Sequence, residues 1–521
     1  MSTVVVIGGG HNGLAAAYYL AKAGMKPIVL EARGAIGGGA ITAEIHPGFT
    51  CPTLTHRTCL HADIVRDMDL ARHGVEFLSP SAEVFAPGTD DRPVVLSVDP
   101  ARTAEALRQR SPKDAEAYAE YRATLARIAG AVAGLLTQPP PDIDRPGVRD
   151  AWNLLKVGRR VRGLGTRDVY RLLRWAPMPV ADLMSEWFET DLLRAALSAP
   201  ALSGTMFGPR SAGSALVLLL QHAHALLAGG ASQVRGGPGA LTSAMAAAAR
   251  TAGADIRTNA RVERILVNNG QATGVLVDGR ELPATVVMSA VDPKSTFLRL
   301  VTATDLGPDF RSKVQHYRAA GTVAKVNLAL SALPAFRGAT SPELLSGRIH
   351  VGPTLDYMER AFDRAKYGDV PEAPWLDVAI PSILDPDLAP HGCHVMSVYA
   401  HYAPYQLRGS EWSAATQPLL QTVLNTLDTF APGTSGLVVA ARTLTPADLE
   451  SEYGFHGGHI FHGELALDQL FAARPLLGYA RYGTPIRGLY LCGAGTHPGG
   501  FLTGTSGRLA AHAVLRARPG P

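Results

Sequence analysis

The sequence predicts an α/β protein. It has a parallel-sheet domain built from strand–helix units and a second, α+β domain with a helical subregion. Three stretches carry this prediction. Near the N-terminus, Val4-Val5-Val6-Ile7 leads through Gly8, Gly10 and Gly13, in G-x-G-x-x-G spacing, into an Ala- and Leu-rich helix from Leu14 to Ala23. In mid-chain, short strands around Val262–Val267 and Gly274–Val277 alternate with the turns Asn268-Asn269-Gly270 and Asp278-Gly279, before a strand from Val286 to Ala290. Near the C-terminus, Gly488–Gly495 reads as a strand entering a turn, and a Gly-rich loop then feeds a helix from Ser506 to about Arg516.

Each element follows from local chemistry. A continuous β-branched run suits a strand buried on both faces. Gly8 permits the tight turn out of it, Gly10 lets a pyrophosphate approach the backbone, and Gly13 lets helix and strand pack closely. Leu14, just after Asn12 and Gly13, opens a helix whose N-terminus is aimed at that anion. The next strand, Ile28-Val29-Leu30, ends in Glu31. This carboxylate lies about 20 residues beyond the glycines, where an adenosine ribose offers its hydroxyls. The order of strand, turn, helix, strand and acid predicts a Rossmann-like dinucleotide site. A Gly-rich turn that binds nothing leaves Glu31 unexplained.

Composition excludes several other classes. Across 521 residues, 49 basic side chains face 45 acidic ones, a net charge of +4 that does not demand nucleic acid. The four cysteines, Cys51, Cys59, Cys393 and Cys492, form no C-x-x-C pair, which fits a reducing, cytoplasmic setting and argues against thiol–disulfide redox chemistry. No apolar run reaches the roughly 18 residues of a membrane span. The first apolar stretch runs straight into the glycine motif, so it does not read as a signal peptide.

Beyond the first site, Glu31-Ala32-Arg33 is followed by Gly37-Gly38-Gly39-Ala40. This arrangement resembles the FAD-dependent oxidoreductases of the phytoene desaturase-like family, a group that also takes in amine oxidases. The C-terminal Gly493-Ala494 turn and the Gly500-Phe501-Leu502-Thr503 loop resemble the same family. So does the mid-chain unit with Val262 and Ala290. Gly10-His11-Asn12-Gly13, Thr496–Gly500 and Leu467–Pro475 are most similar to two branches, the pyridine nucleotide-disulfide oxidoreductase domain proteins of animal mitochondria and the desaturase-type carotene ketolases.

The resemblance implies a split FAD domain made of residues 1–75, 231–300 and 466–521, with substrate regions at 76–230 and 301–465. It implies that Arg33 and the second glycine pair contact the phosphates and ribityl chain, that backbone at Val262 meets the adenine, and that small residues near Ala290 pass the dinucleotide. It also implies that His56 and His497 are candidates near the flavin ring, although a loop histidine serves equally for His56. Ala40 departs from the family, where a basic residue is common, and so weakens any extra phosphate contact there.

Between these segments the signals are structural. Ser111-Pro112 with Asp114 starts a helix reaching about Leu136, and Pro139-Pro140-Pro141 stops it. Lys156, Arg159, Arg160, Arg162, Arg167, Arg171 and Arg174 lie among apolar residues with only Asp168 to offset them. This is either a solvated helix face or a peripheral contact with an anionic membrane. Ala215–Ala228 reads as a buried helix, with His222 and His224 on different faces. His456, His459 and His462 have metal-compatible spacing but sit in a glycine loop without a completing ligand, so no metal is expected.

Together these readings predict an FAD-dependent oxidoreductase acting on a hydrophobic, isoprenoid or carotenoid-like substrate by desaturation, isomerisation or oxidation. Two alternatives stay open. One is an amine-oxidase-like enzyme, and the other is an FAD-bearing regulatory partner without turnover.

Overall fold

Val4, Val5 and Val6 are fully buried, and their strand is the centre of the first sheet in the computed structural model, which describes residues 3–142, 147–230 and 233–517. Five parallel strands run in the order Leu489–Leu491, Val286–Ser289, Thr3–Ile7, Lys26–Leu30, Asp255–Arg257. Three distant stretches of chain therefore build one sheet. The first helix spans His11–Lys22, three residues earlier than the glycine spacing suggests. Gly10 takes the cap position and its carbonyl accepts the Leu14 N–H at 2.9 Å, so Gly13 lies inside the first turn.

That helix packs between Gly237–Thr251 and Thr505–Ala517. The C-terminal helix approaches so closely that a Cβ on Gly507 would stand 2.0 Å from the Asn12 carbonyl oxygen. Chain ends almost 500 residues apart in sequence are thereby packed together, with the Gly507 N–H donating to Asn12 Oδ1 at 3.3 Å. The mid-chain meander forms a separate sheet of Val262–Asn268, Gln271–Val277 and Arg280–Pro283. Its turns place Asn269 and Gly270, then Asp278 and Gly279, at positive φ, as tight hairpins of right-twisted strands require.

A seven-stranded sheet dominates the second region, in the order Val438–Leu444, Val323–Leu330, His394–His401, Trp375–Ala379, Arg348–Val351, Ala82–Ala86, Val94–Ser97. Its last two strands come from a stretch that sequence patterning does not mark. Beside it lies the helical part. Pro112–Leu136 begins where expected, with Ser111 Oγ accepting the Asp114 N–H at 3.1 Å, and packs on Ser214–Ala228.

The basic stretch forms two helices, Val148–Gly163 and Gly165–Trp175. Here the expectation that only Asp168 offsets the charge is corrected. Arg167 and Arg171 reach Glu120 at 3.2 and 3.3 Å, and Arg174 pairs with Glu186, because the fold brings in acids remote in sequence. Among the described residues, no helix is long and apolar enough to cross a membrane.

Candidate cofactor and substrate site

Where the parallel strands end, a cavity of about 550 Å³ opens. Such crevices beyond the carboxyl edges of a parallel sheet are where open α/β folds bind ligands. Gly8 holds φ at +98°, and a Cβ on Gly13 would sit 2.1 Å from the Gly8 carbonyl oxygen. Strand and helix can meet this closely only as glycines. Glu31 is fixed on the wall, its Oε2 accepting the Gly9 N–H at 2.8 Å and its Oε1 the Arg33 N–H at 3.0 Å. Arg33 Nη2 donates to the Gly38 carbonyl at 3.0 Å, and its guanidinium lies 5.1 Å from the Tyr453 ring centre.

The cavity fits a flavin dinucleotide on a specific observation. Four buried atoms of its lining residues have no hydrogen-bond partner: His11 Nε2, Asp292 Oδ2, Ser295 Oγ and His462 Nδ1. Buried polar atoms without partners are rare in folded proteins and point to a missing polar ligand. Burial, aided by the nearness of His462, pushes His11 down to about 4, and burial, aided by Arg474, does the same to His462, so they face this space as neutral rings.

Comparison with known proteins agrees. The model of the FAD dependent oxidoreductases matches residues 3–142, and that of the flavin containing amine oxidoreductases matches residues 105–515. The chain belongs to the flavin-containing amine oxidoreductase family. It is an FAD-dependent oxidoreductase. Rat pyridine nucleotide-disulfide oxidoreductase domain-containing protein 2 is 36% identical to this flavoprotein over 98% of the chain and 93% of its own length. A limonene dehydrogenase chain of Castellaniella defragrans is 27% identical over 98% and 94%. An oxidoreductase structure from Methanosarcina mazei superposes with a TM-score of 0.63 at 17% identity, covering 99% of this chain and 100% of the other, a likeness of fold.

Most residues picked from the sequence line the flavoprotein's larger cavity. They are Gly8, Gly10, Asn12, Gly13, Glu31, Ala32, Arg33, Gly38, Gly39, Ala40, Val262, Ala290, Ala494, Phe501 and Leu502. Four do not. Leu14 is in the core beneath the helix, and Gly493 lies where a Cβ would meet the Ala290 oxygen at 2.5 Å. Gly500 packs toward Leu465 and Phe461, and the Thr503 carbonyl accepts the His61 N–H at 3.2 Å. The histidines of the 456–462 loop go separate ways. His456 faces Glu450 at 3.5 Å, and His459 Nδ1 accepts the Phe461 N–H at 3.2 Å.

A second cavity of about 110 Å³ adjoins the first, and Leu54, Thr55, Ile460, Phe461, Phe501 and Leu502 line both. Val323 and Leu449 add to its apolar wall, while Arg57, Lys325, Asp377, Tyr399 and His401 supply polar groups. Neither histidine candidate lines either cavity. His497 is buried, with its Nε2 3.1 Å from the Leu135 carbonyl, and burial pushes it down to about 4. His56 lies behind Lys325, its Nδ1 3.1 Å from Nζ.

Lys325 is the residue that reading the sequence missed. It stands in Val323–Leu330, where every residue after Val323 is buried, and is itself buried. Nζ also donates to Ser397 Oγ and lies 4.4 Å from the Tyr399 ring centre. Burial pushes its ammonium down to about 7, against the attraction of Asp377. Burial alone would raise the Asp377 carboxyl, but the charges of Arg57 and Arg348 outweigh it and hold the group well below the usual carboxylate range. The signal was a lone charged residue in a strand whose other members, Asn327 apart, are apolar, since a charge is buried only where something compensates it.

Proposed function

We propose that this oxidoreductase acts on a small hydrophobic molecule, isoprenoid in type, held in the second cavity. The observation that carries the reading is the shared wall, by which an apolar chamber opens beside the dinucleotide cavity. A volume near 110 Å³ favours a compact substrate over a long polyene. The similarity to the limonene dehydrogenase chain supports an isoprenoid body.

Bound FAD would supply two-electron, hydride-type chemistry, and the protein would bind, orient and shield. Gly8, Gly10 and Gly13 would pass the pyrophosphate, Glu31 would meet a ribose, and Arg33 would sit beside the phosphate path. Phe461 and Phe501 would press the substrate toward the larger cavity and exclude water. Lys325 would hold a proton at Nζ against His56 Nδ1, close to the midpoint of its titration at neutral pH.

The test is anaerobic titration of the purified holoprotein with monoterpenes, longer isoprenoids and amines, following the long-wavelength flavin absorbance. Bleaching by the small isoprenoids supports the reading. Bleaching by amines alone favours the amine-oxidase alternative, and bound flavin that no compound bleaches favours a partner without turnover.

A further inference from the structure

Lys325, Asp377 and Tyr399 lie on neighbouring strands, in register as Lys325 opposite Tyr399 and Asp377 opposite Tyr399, so all three project from one face of the sheet. His401 follows two residues later on that face. All four line the smaller cavity, together with Arg57. The rest of the wall is mainly apolar, with Thr55, Ser203, Gln221, Thr322 and His459 as its other polar members, so the charged groups form one patch in a largely hydrophobic chamber.

The patch is electropositive. Arg57 lies 3.7 Å from Asp377, and Arg348 stands behind, buried, pushed down by burial to about 10 and so still a cation at neutral pH. Asp377 is the one carboxylate among these groups. His56, His350 and His401 are each pushed down to about 3, mainly by burial, and contribute no charge. Two guanidiniums, with Lys325 near the midpoint of its titration at neutral pH, thus face a single acid.

The patch is also incompletely hydrogen-bonded. His401 Nδ1, Arg348 Nη1 and Asp377 Oδ1 are buried without a partner. The nearest approach of Asp377 Oδ1 to a cationic or potentially cationic group is His56 Nε2 at 3.8 Å, beyond hydrogen-bond reach. An unpaired guanidinium nitrogen behind the wall and an unpaired imidazole nitrogen in it, beside surplus positive charge in an apolar chamber, are the features of an anion subsite, to which the unpaired Asp377 oxygen, an acceptor, does not add. A carboxylate supplies both the charge and the acceptor oxygens, and its hydrogen bonds to cations are the strong, charge-assisted kind.

We propose that the substrate is an apolar molecule carrying one carboxylate, held by Lys325 and Arg57, with its hydrocarbon body along Leu54, Val323, Leu449 and Phe461. This rests on the reading of the second cavity as the substrate chamber, and it names the substrate as a small hydrophobic acid rather than a pure hydrocarbon. The carboxylate is an anchor and takes no part in bond making.

The experiment compares octanoate, octanol and methyl octanoate on the wild-type holoprotein, by calorimetry and by the shift each causes in the flavin spectrum. Octanoate is expected to bind at least about tenfold tighter than the two neutral ligands. Lys325→Met and Arg57→Gln are each expected to weaken octanoate by about tenfold or more, leaving octanol within about twofold of wild type. Retained flavin absorbance reports that each variant is folded, and the wild-type comparison needs no variant. Equal affinity for octanoate and octanol overturns the proposal, as does a loss in the variants that is equal for all three ligands. Selective octanoate binding without flavin bleaching by any compound would sink the catalytic reading and leave the anion subsite standing.

Discussion

Lys325 Nζ stands 3.1 Å from His56 Nδ1, with both side chains buried. Neither was a natural partner for the other in the sequence, 269 residues apart. Burial makes Lys325 titrate near neutrality, and this has a measurable sign. Its folded pKa of about 7 is below the ordinary lysine value of about 10.4, so between these values the unfolded chain binds more protons. Stability therefore rises with pH across that window. The groups facing Lys325 are His56, Ser397, Tyr399, Cys51 and Asp377, and of these Asp377 stays ionised throughout. Thermal melts of wild type and Lys325→Met should show the variant's relative advantage shrinking as pH rises from about 7 to about 9. A constant difference would place the lysine pKa elsewhere.

Octanoate binding provides a second pH test. Loss of the Lys325 proton removes one of the charges around the carboxylate. Affinity should fall as pH rises through about 7, and octanol affinity should not. In Lys325→Met the octanoate profile should be flat over the same range.

Gly13→Ala tests the dinucleotide cradle. Its Cβ would lie 2.1 Å from the Gly8 carbonyl oxygen, so helix and strand must separate. The expected outcome is protein purified without its yellow colour, with FAD affinity reduced by at least about a hundredfold, some 2.7 kcal/mol. Fluorescence quenching of added FAD reads this directly. Gly24→Ala is the control at a glycine away from the cavity, where a Cβ has nothing within 4 Å, although its φ of +81° adds a modest strain.

Arg474 is a structural cation and predicts a stability loss. It is fully buried, and its guanidinium donates to the carbonyls of Phe461, Glu464 and Ala494 at 3.0, 3.0 and 2.9 Å, with longer bonds to Gly463 and Gln469. It thus holds the 461–474 loop to the turn at Ala494. Arg474→Met strands these carbonyls and should cost at least about 3 kcal/mol. Urea unfolding should show a lower midpoint at an unchanged slope.

The helices Val148–Gly163 and Gly165–Trp175 predict membrane binding. Trp152, Tyr170 and Leu173 are 53%, 68% and 66% exposed. Trp152, Leu155, Arg159 and Arg162 follow at helical spacing on one outward stripe. Among the described residues, no carboxylate pairs with Lys156, Arg159 or Arg162. The protein should sediment with phosphatidylglycerol vesicles and leave phosphatidylcholine vesicles unbound. A triple Lys156→Gln, Arg159→Gln, Arg162→Gln variant should lose about 1 kcal/mol per charge removed. Equal binding to both vesicle types, or none, counts against a membrane role for this face.

The sequence by itself determined the dinucleotide half of this protein. Val4–Ile7, the three glycines, Glu31 and the Asn-Gly and Asp-Gly turns are local signals, each dictated by backbone conformation or by strand burial within a few residues. The helix cap at Ser111 was legible for the same reason. Only the tertiary structure decided the substrate chamber. Lys325, Asp377 and Tyr399 become neighbours through strand register, and Arg57 and Phe461 arrive from loops, so no spacing along the chain joins them. The pairing of Arg167 and Arg171 with Glu120, and of the Gly507 amide with Asn12, is equally non-local. A cofactor cradle is written in backbone geometry and can be read in sequence order. A substrate site is written in side chains meeting across a folded core, where burial sets the charge of Lys325 and sequence order says nothing.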